Sequence, residues 1–291
     1  MNHPALALLA FSLALGLTAA CGAETVPAGT EEAAVQDPVE TVQDVVKATE
    51  ACPATEEEAV SQAVLDRART GYRSGECPAE GHIILRAEDG PEEDTLVVYA
   101  LCSAGNYAFV NGNLEEISGS GVIPSRLTFA LGGDGFLTLL DYWEAEDGAG
   151  YDESIRRTFP ADLVSQALEA GARYPELLEQ KEAYALACLR ETGREAAVGE
   201  YADFDHPLAT DRGMSAAASN TLMERMPEYP FFLGSEERVE DGVRWVYETA
   251  WDGEGGSDGT ATYTKSNYET GEIEEQHVFQ VRGDDCTEIV S

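Results

Sequence analysis

The chain has 291 residues, with 18 Lys+Arg against 55 Asp+Glu and a formal net charge of −37. That imbalance excludes nucleic acid as a partner, because phosphate binding needs clustered Lys and Arg, and it argues against electrostatic docking on anionic lipid. A hydrophobic content of 43% excludes a wholly disordered chain, and the length predicts about two domains.

Residues 5–20, ALALLAFSLALGLTAA, form an uncharged apolar run of signal-peptide length, too short for a comfortable bilayer span. It ends in Leu17-Thr18-Ala19-Ala20-Cys21. Small residues before a cysteine resemble the bacterial lipobox, with Thr18 in place of its usual Leu. The resemblance implies a signal peptide over 1–20 and a lipidated Cys21. Ordinary secretion after Ala20 and a retained anchor are the competing readings. Residues 21–54 predict an acidic, extended tether, because Glu24, Glu31, Glu32, Asp37, Glu40 and Asp44 repel one another and Pro27, Gly29 and Pro38 interrupt regular structure. The anchor would be the only contact with the membrane, since no later run is long and apolar enough to span it.

Outside the cytoplasm disulfides are allowed, and Cys52, Cys77, Cys102, Cys188 and Cys286 are the candidates. Five thiols leave one unpaired, and two bridges can be drawn in 5 × 3 = 15 ways. Cys77 with Cys102 and Cys188 with Cys286 are the pairs considered. A buried apolar role for Cys188, beside Ala185, Leu186 and Leu189, is the alternative.

Thr55 before Glu56-Glu57-Glu58 is an N-cap signal, and Ala59, Val60, Ala63, Val64 and Ala68 recur at helical spacing up to Gly71. Strands are predicted at 82–86, 95–101, 107–110, 114–117, 127–131 and 136–143, with Asn111-Gly112 as a hairpin turn. Helices are expected from Asp152 to Arg157, over 161–170, and from Pro175 onward. This first unit, 55–191, reads as an antiparallel meander followed by helices that cover it.

The block Leu140-Asp141-Tyr142-Trp143-Glu144, Glu146-Asp147-Gly148, Tyr151, Ser154-Ile155-Arg156 and Phe159-Pro160 resembles an uncharacterised extracytoplasmic module of Firmicute lipoproteins and of the C-terminal regions of BlaR-type membrane metallopeptidases. The resemblance covers roughly residues 82–190. It implies an envelope-exposed sensing or binding module and carries no catalytic residue, since the peptidase part and its HExxH are missing. Read from the residues alone, Asp141, Glu144, Glu146 and Asp147 make an acidic strand-to-helix corner. It is either a ligand or cation site, or a solvated turn that caps the helix.

The second unit, 192–291, begins with a mixed polar stretch to Arg212. Met214–Met226 predicts a helix, stopped by Pro227 and Pro230. Val243–Asp252, Thr260–Lys265 and His277–Arg282 predict a three-stranded antiparallel ribbon, making a smaller helix-plus-strands unit. Trp245, Tyr247 and Trp251 share one strand face, either as a stacking platform for glycan or peptide or as core under the helix. The whole is α+β.

No catalytic motif survives inspection. His82, His206 and His277 are scattered, GxSxG, SxxK and CxxC are absent, and the loop at Asp252 lacks the sixth-position Gly and twelfth-position Glu of a calcium loop. No catalytic residue, metal or cofactor is assigned. The acidity fits solubility at a crowded surface, adaptation to salt, or capture of cationic peptides or metal ions. The sequence therefore predicts an extracytoplasmic, lipid-anchored, non-enzymatic binding or sensing protein whose partner is an envelope protein, peptide or glycan. A secreted hydrolase without a recognisable motif, and an inhibitor or assembly partner of another envelope protein, are the alternatives.

Overall fold

Helix α1, Glu56–Gly71, starts where its sequence predicts. The Thr55 hydroxyl accepts from Glu58 N, and the Glu58 carboxylate accepts from the Thr55 backbone, a capping box with three acids in the first turn. The computed structural model describes residues 53–253 and 255–290. The expected leader, Cys21, the expected tether up to Cys52 and Cys52 itself lie outside the described residues.

Five antiparallel strands follow: β1 Cys77–Asp89, β2 Thr95–Val110, β3 Asn113–Gly119, β4 Ile123–Leu131 and β5 Leu137–Glu144. The segments 95–101 and 107–110, expected as two strands, form one strand of 16 residues. The polar stretch between them is buried rather than turned, because its side chains find partners. Ser103 Oγ donates to Ser120 O at 2.8 Å, and Asn106 Nδ2 donates to Ala68 O at 2.7 Å. Strand β2 is the centre of the sheet, with β1 along one edge and β4 then β3 along the other. Asn111 (φ 49°) and Gly112 (φ 82°) take the left-handed turn that Asn-Gly adopts readily.

Three helices come next: α2 Tyr151–Thr158, α3 Val164–Leu168 and α4 Tyr174–Thr192. The helix expected over 161–170 shrinks to five residues, and a 3₁₀ turn at Ala170–Arg173 redirects the chain before Pro175 opens α4. Side chains of β2 alternate between two sets of helices. Val98, Ala100, Cys102 and Ala104 pack with α1, whereas Val97 and Tyr99 pack with Ile155, Phe159 and Leu163. Further along, Tyr107 and Phe109 lie with Ala185 and Leu189 of α4.

The chain continues through β6 Val198–Glu200, helix α5 Ala216–Arg225, and strands β7 Gly234–Glu240, β8 Val243–Trp251, β9 Gly259–Asn267, β10 Ile273–Arg282 and β11 Asp285–Val290. The expected three-stranded ribbon has five strands. Strand β7 (GSEERVE) and strand β11, mostly exposed, carry no period-two apolar pattern to announce them. Val110 of β2 stands opposite Glu236 of β7, so one sheet runs β11-β10-β9-β8-β7-β2-β3-β6 through the segments 55–191 and 192–291. Strand β6 joins it parallel to β3. The described residues fall in one compact α+β unit.

A disulfide joins Cys77 of β1 to Cys188 of α4, with Cα atoms 6.1 Å apart. This corrects both pairings considered from sequence, and the purely apolar reading of Cys188. Packing decides it: Cys77 and Ala79 lie under Ala185 and Leu189. Cys102 instead lies with Val98 and Ala100 beneath α1, a free thiol that burial pushes up to about 12. Cys286, also free, packs against the core under α5.

Candidate functional site

The acidic corner is taken apart by arginines. Asp141 pairs with Arg126 at 2.8 Å, Glu144 accepts a two-toothed contact from Arg67 at 2.8–3.2 Å, and Glu146 pairs with Arg157 at 2.9 Å. Asp147 precedes a short 3₁₀ turn and makes no side-chain capping bond. Among the described residues, no group of three or more His, Cys, Asp or Glu side chains is placed to share a metal ion.

The three histidines among the described residues also stay apart, each held by its own carboxylates. His206 Nε2 meets the buried Glu115 at 2.6 Å, stacked on Tyr201 with ring centroids 3.7 Å apart. Burial raises the Glu115 carboxyl, and His206 offsets part of that. His277 lies between Glu275 and Glu288, each at 2.9 Å. His82 lies 2.9 Å from Glu80 and 2.7 Å from Glu57. Burial alone would lower its pKa, but the two carboxylates outweigh burial and raise it to about 10.

That shift gives His82 a pH signature. The folded value lies above the unfolded one of about 6.5, so its stabilisation is complete below roughly pH 6.5 and is lost as pH rises toward 10. The urea midpoint of the wild type is expected to fall more steeply across that window than that of His82→Gln. Identical slopes for the two proteins would contradict the pairing.

The aromatic stripe of β8 is core. Tyr247 packs with Tyr229, Tyr263 and Phe279 beneath α5, and Trp245 and Trp251 flank that cluster half-buried. The packing there is incomplete, and it leaves a cavity of about 270 Å³. Met214, Met223, Met226, Phe231, Trp251 and Tyr263 form much of its wall, and no charged residue lines it. The chain has four methionines, and the three besides Met1 all face this space. Beside it Phe231 is 52% exposed and Met223 45% exposed.

Across the segment Pro227–Phe231 lies a second space, a groove of about 570 Å³. Pro227, Tyr229 and Phe231 line both. Tyr201 and Phe232 add to the groove's aromatic wall, and Arg73, Glu76, Glu228, Glu236, Glu237, Arg238 and Glu240 bring charge, Glu228 standing exposed 3.5 Å from Arg238. These charges are matched inside the protein. Arg73 and Arg238 both reach the buried Glu236, the latter at 2.9 Å. Arg244 bridges Glu76 and Glu237 at 2.5 and 3.1 Å, and Arg194 reaches Glu237 at 2.6 Å. Burial would raise the Glu240 carboxyl, but Lys265 at 2.8 Å and the Tyr247 hydroxyl outweigh it and hold it below the ordinary range. The cations lie over rings as well, Arg194 at 3.4 Å from the Phe109 centroid and Arg238 at 4.4 Å from that of Tyr247.

None of the three histidines lines the cavity or the groove, and the groove's acids are mostly tied to arginine or lysine. Sequence reasoning missed the Pro227–Phe231 segment and strand β7. One signal was available: Asp241-Gly242, with φ of 51° and 79°, is a hairpin turn of the Asp-Gly kind that points back to a strand ending at Glu240. The chain matches no protein family, no curated protein and no solved structure. Among the described residues, no helix is long and apolar enough to cross a membrane.

Proposed function

We propose that this is a bacterial cell-envelope lipoprotein, acylated at Cys21 and held outside the membrane, that acts by binding rather than by catalysis. The observation that carries the binding reading is the cavity under α5: a space without a single charged wall residue, opening beside exposed Phe231 and Met223, on a chain of net charge −37. Methionine walls favour such a role, because three rotatable bonds and a polarisable sulfur let them fit differently shaped occupants. The leader and Cys21 support export, and the Cys77–Cys188 bridge fits an oxidising compartment.

The binding half is tested with N-phenyl-1-naphthylamine, an uncharged dye that brightens in apolar surroundings. The full-length protein is expected to take it up saturably. Met223→Glu sets a charge at the exposed rim and is expected to weaken uptake about tenfold or more while leaving the melting temperature nearly unchanged. Dye uptake that ignores this substitution would remove the cavity from the argument. The anchoring half is tested by metabolic labelling with palmitate, which Cys21→Ser is expected to abolish.

A further inference from the structure

We infer that the occupant is an uncharged amphiphile: one compact apolar group in the cavity, joined to a neutral hydroxyl- or amide-bearing part that lies in the groove. This rests on the binding reading above and adds the chemistry of the ligand. The apolar half follows from size and lining. An apolar cavity of about 150 Å³ admits a benzene ring, so about 270 Å³ takes a fused aromatic pair or a medium alkyl chain. An ionised group entering it would lose its hydration with no counter-charge on the wall.

The polar half follows from how the groove's charges are spent. Glu236 is held by two arginines, Glu237 by Arg194 and Arg244, Glu240 by Lys265, and the exposed Glu228 meets Arg238 at 3.5 Å. A simple anion would have to pull an arginine from its glutamate, and a simple cation would have to do the reverse. At the buried Glu236 and Glu237, breaking an ion pair costs more than a solvated ligand charge returns. Hydroxyls and amides instead both donate and accept, so they can add to oxygens and N–H groups already in use. The exposed faces of Phe231 and Tyr201 suit the C–H face of a ring lying across them. The two spaces share Pro227, Tyr229 and Phe231, so they adjoin across that segment, and the linker passes over the exposed Phe231.

The test holds the apolar part constant and varies the head. Octyl glucoside, octanoate, octylammonium and octanol are titrated into the full-length protein by calorimetry, below their micelle concentrations. Working at about 0.5 M salt shortens the screening length to a few ångströms, so the −37 background neither repels the anion nor gathers the cation. Octyl glucoside is expected to bind about tenfold or more tighter than octanoate and octylammonium, and tighter than octanol, which lacks the extended head. Tyr201→Ala, which alters the groove and leaves the cavity wall intact, is expected to lower the glucoside affinity several-fold while changing that of octanol little. Octanoate or octylammonium binding as tightly as the glucoside, or octanol matching it, overturns the ligand class and leaves the cavity as a binding site. If none of the four binds and N-phenyl-1-naphthylamine also fails, the binding reading itself falls.

Discussion

Lys181→Met is expected to lower the unfolding free energy by about 3–5 kcal/mol at neutral pH, the range seen when one partner of a buried ion pair is removed. Lys181 is completely buried in α4, and its Nζ lies 2.8 Å from both carboxylate oxygens of Glu116 on β3. Burial already raises the Glu116 carboxyl, and Lys181 is what offsets it. Without the lysine, Glu116 either stays charged with no partner or takes up a proton. The sign follows: with Lys181 gone the folded Glu116 carboxyl titrates further above the ordinary glutamate value of about 4.3, so the penalty is full above that raised folded value, shrinks as pH falls toward about 4.3 and is gone below it. Chemical unfolding of the single variant at two pH values reads both effects. The double variant Lys181→Met, Glu116→Leu is expected to recover most of the loss, since an apolar pair of similar volume often equals a buried ion pair. A double variant no better than the single one would mean that the lysine acts through packing alone.

The second large effect is expected from the Cys77–Cys188 bridge. It closes a loop with a sequence separation of 111. Loop-closure entropy for about 100 residues corresponds to roughly 4.7 kcal/mol, and native bridges typically deliver about 2–5 kcal/mol. Reduction, or the paired substitution Cys77→Ser and Cys188→Ser, is expected to lower stability by that amount while leaving the folded far-ultraviolet spectrum in place. The bridge is not the only hold on α4: Lys181–Glu116, the Tyr184–Glu80 contact at 3.1 Å and the Ser61–Tyr184 contact at 2.8 Å remain. An unchanged melting curve on complete reduction would show that the unfolded chain gains nothing from losing the link.

The helix start at Thr55, the Asn111-Gly112 turn and the strand at Val243–Trp251 were legible because each rests on neighbours in sequence: a capping side chain, a left-handed pair, a period of two. The continuity of β2 was not. Ser103, Gly105 and Asn106 look like a break, and only Ser120 and the Ala68 carbonyl, 17 and 38 residues away, supply the partners that let them stay buried. Strand β7 failed for a related cause. Glu236 and Glu237 read as solvent-facing acids, whereas Arg73, Arg194 and Arg244 arrive from three other places in the chain, and Arg238 turns back from β7 itself, to cover them. The same effect dismantled the corner of Asp141, Glu144, Glu146 and Asp147: clustered in sequence, the first three acids are answered by arginines from β4, α1 and α2.

What the sequence by itself determined is therefore local and compositional: an uncharged apolar run at residues 5–20, an acid-rich body, and a run of elements that make the fold α+β. The tertiary structure alone decided which cysteines pair, which carboxylates are shielded, and where space is left over. The physical reason is range. Backbone turns, caps and strand periodicity are set by residues a few positions apart, while ion pairs, a bridge and a cavity depend on side chains brought together from distant segments, whose distances no spacing in the chain encodes.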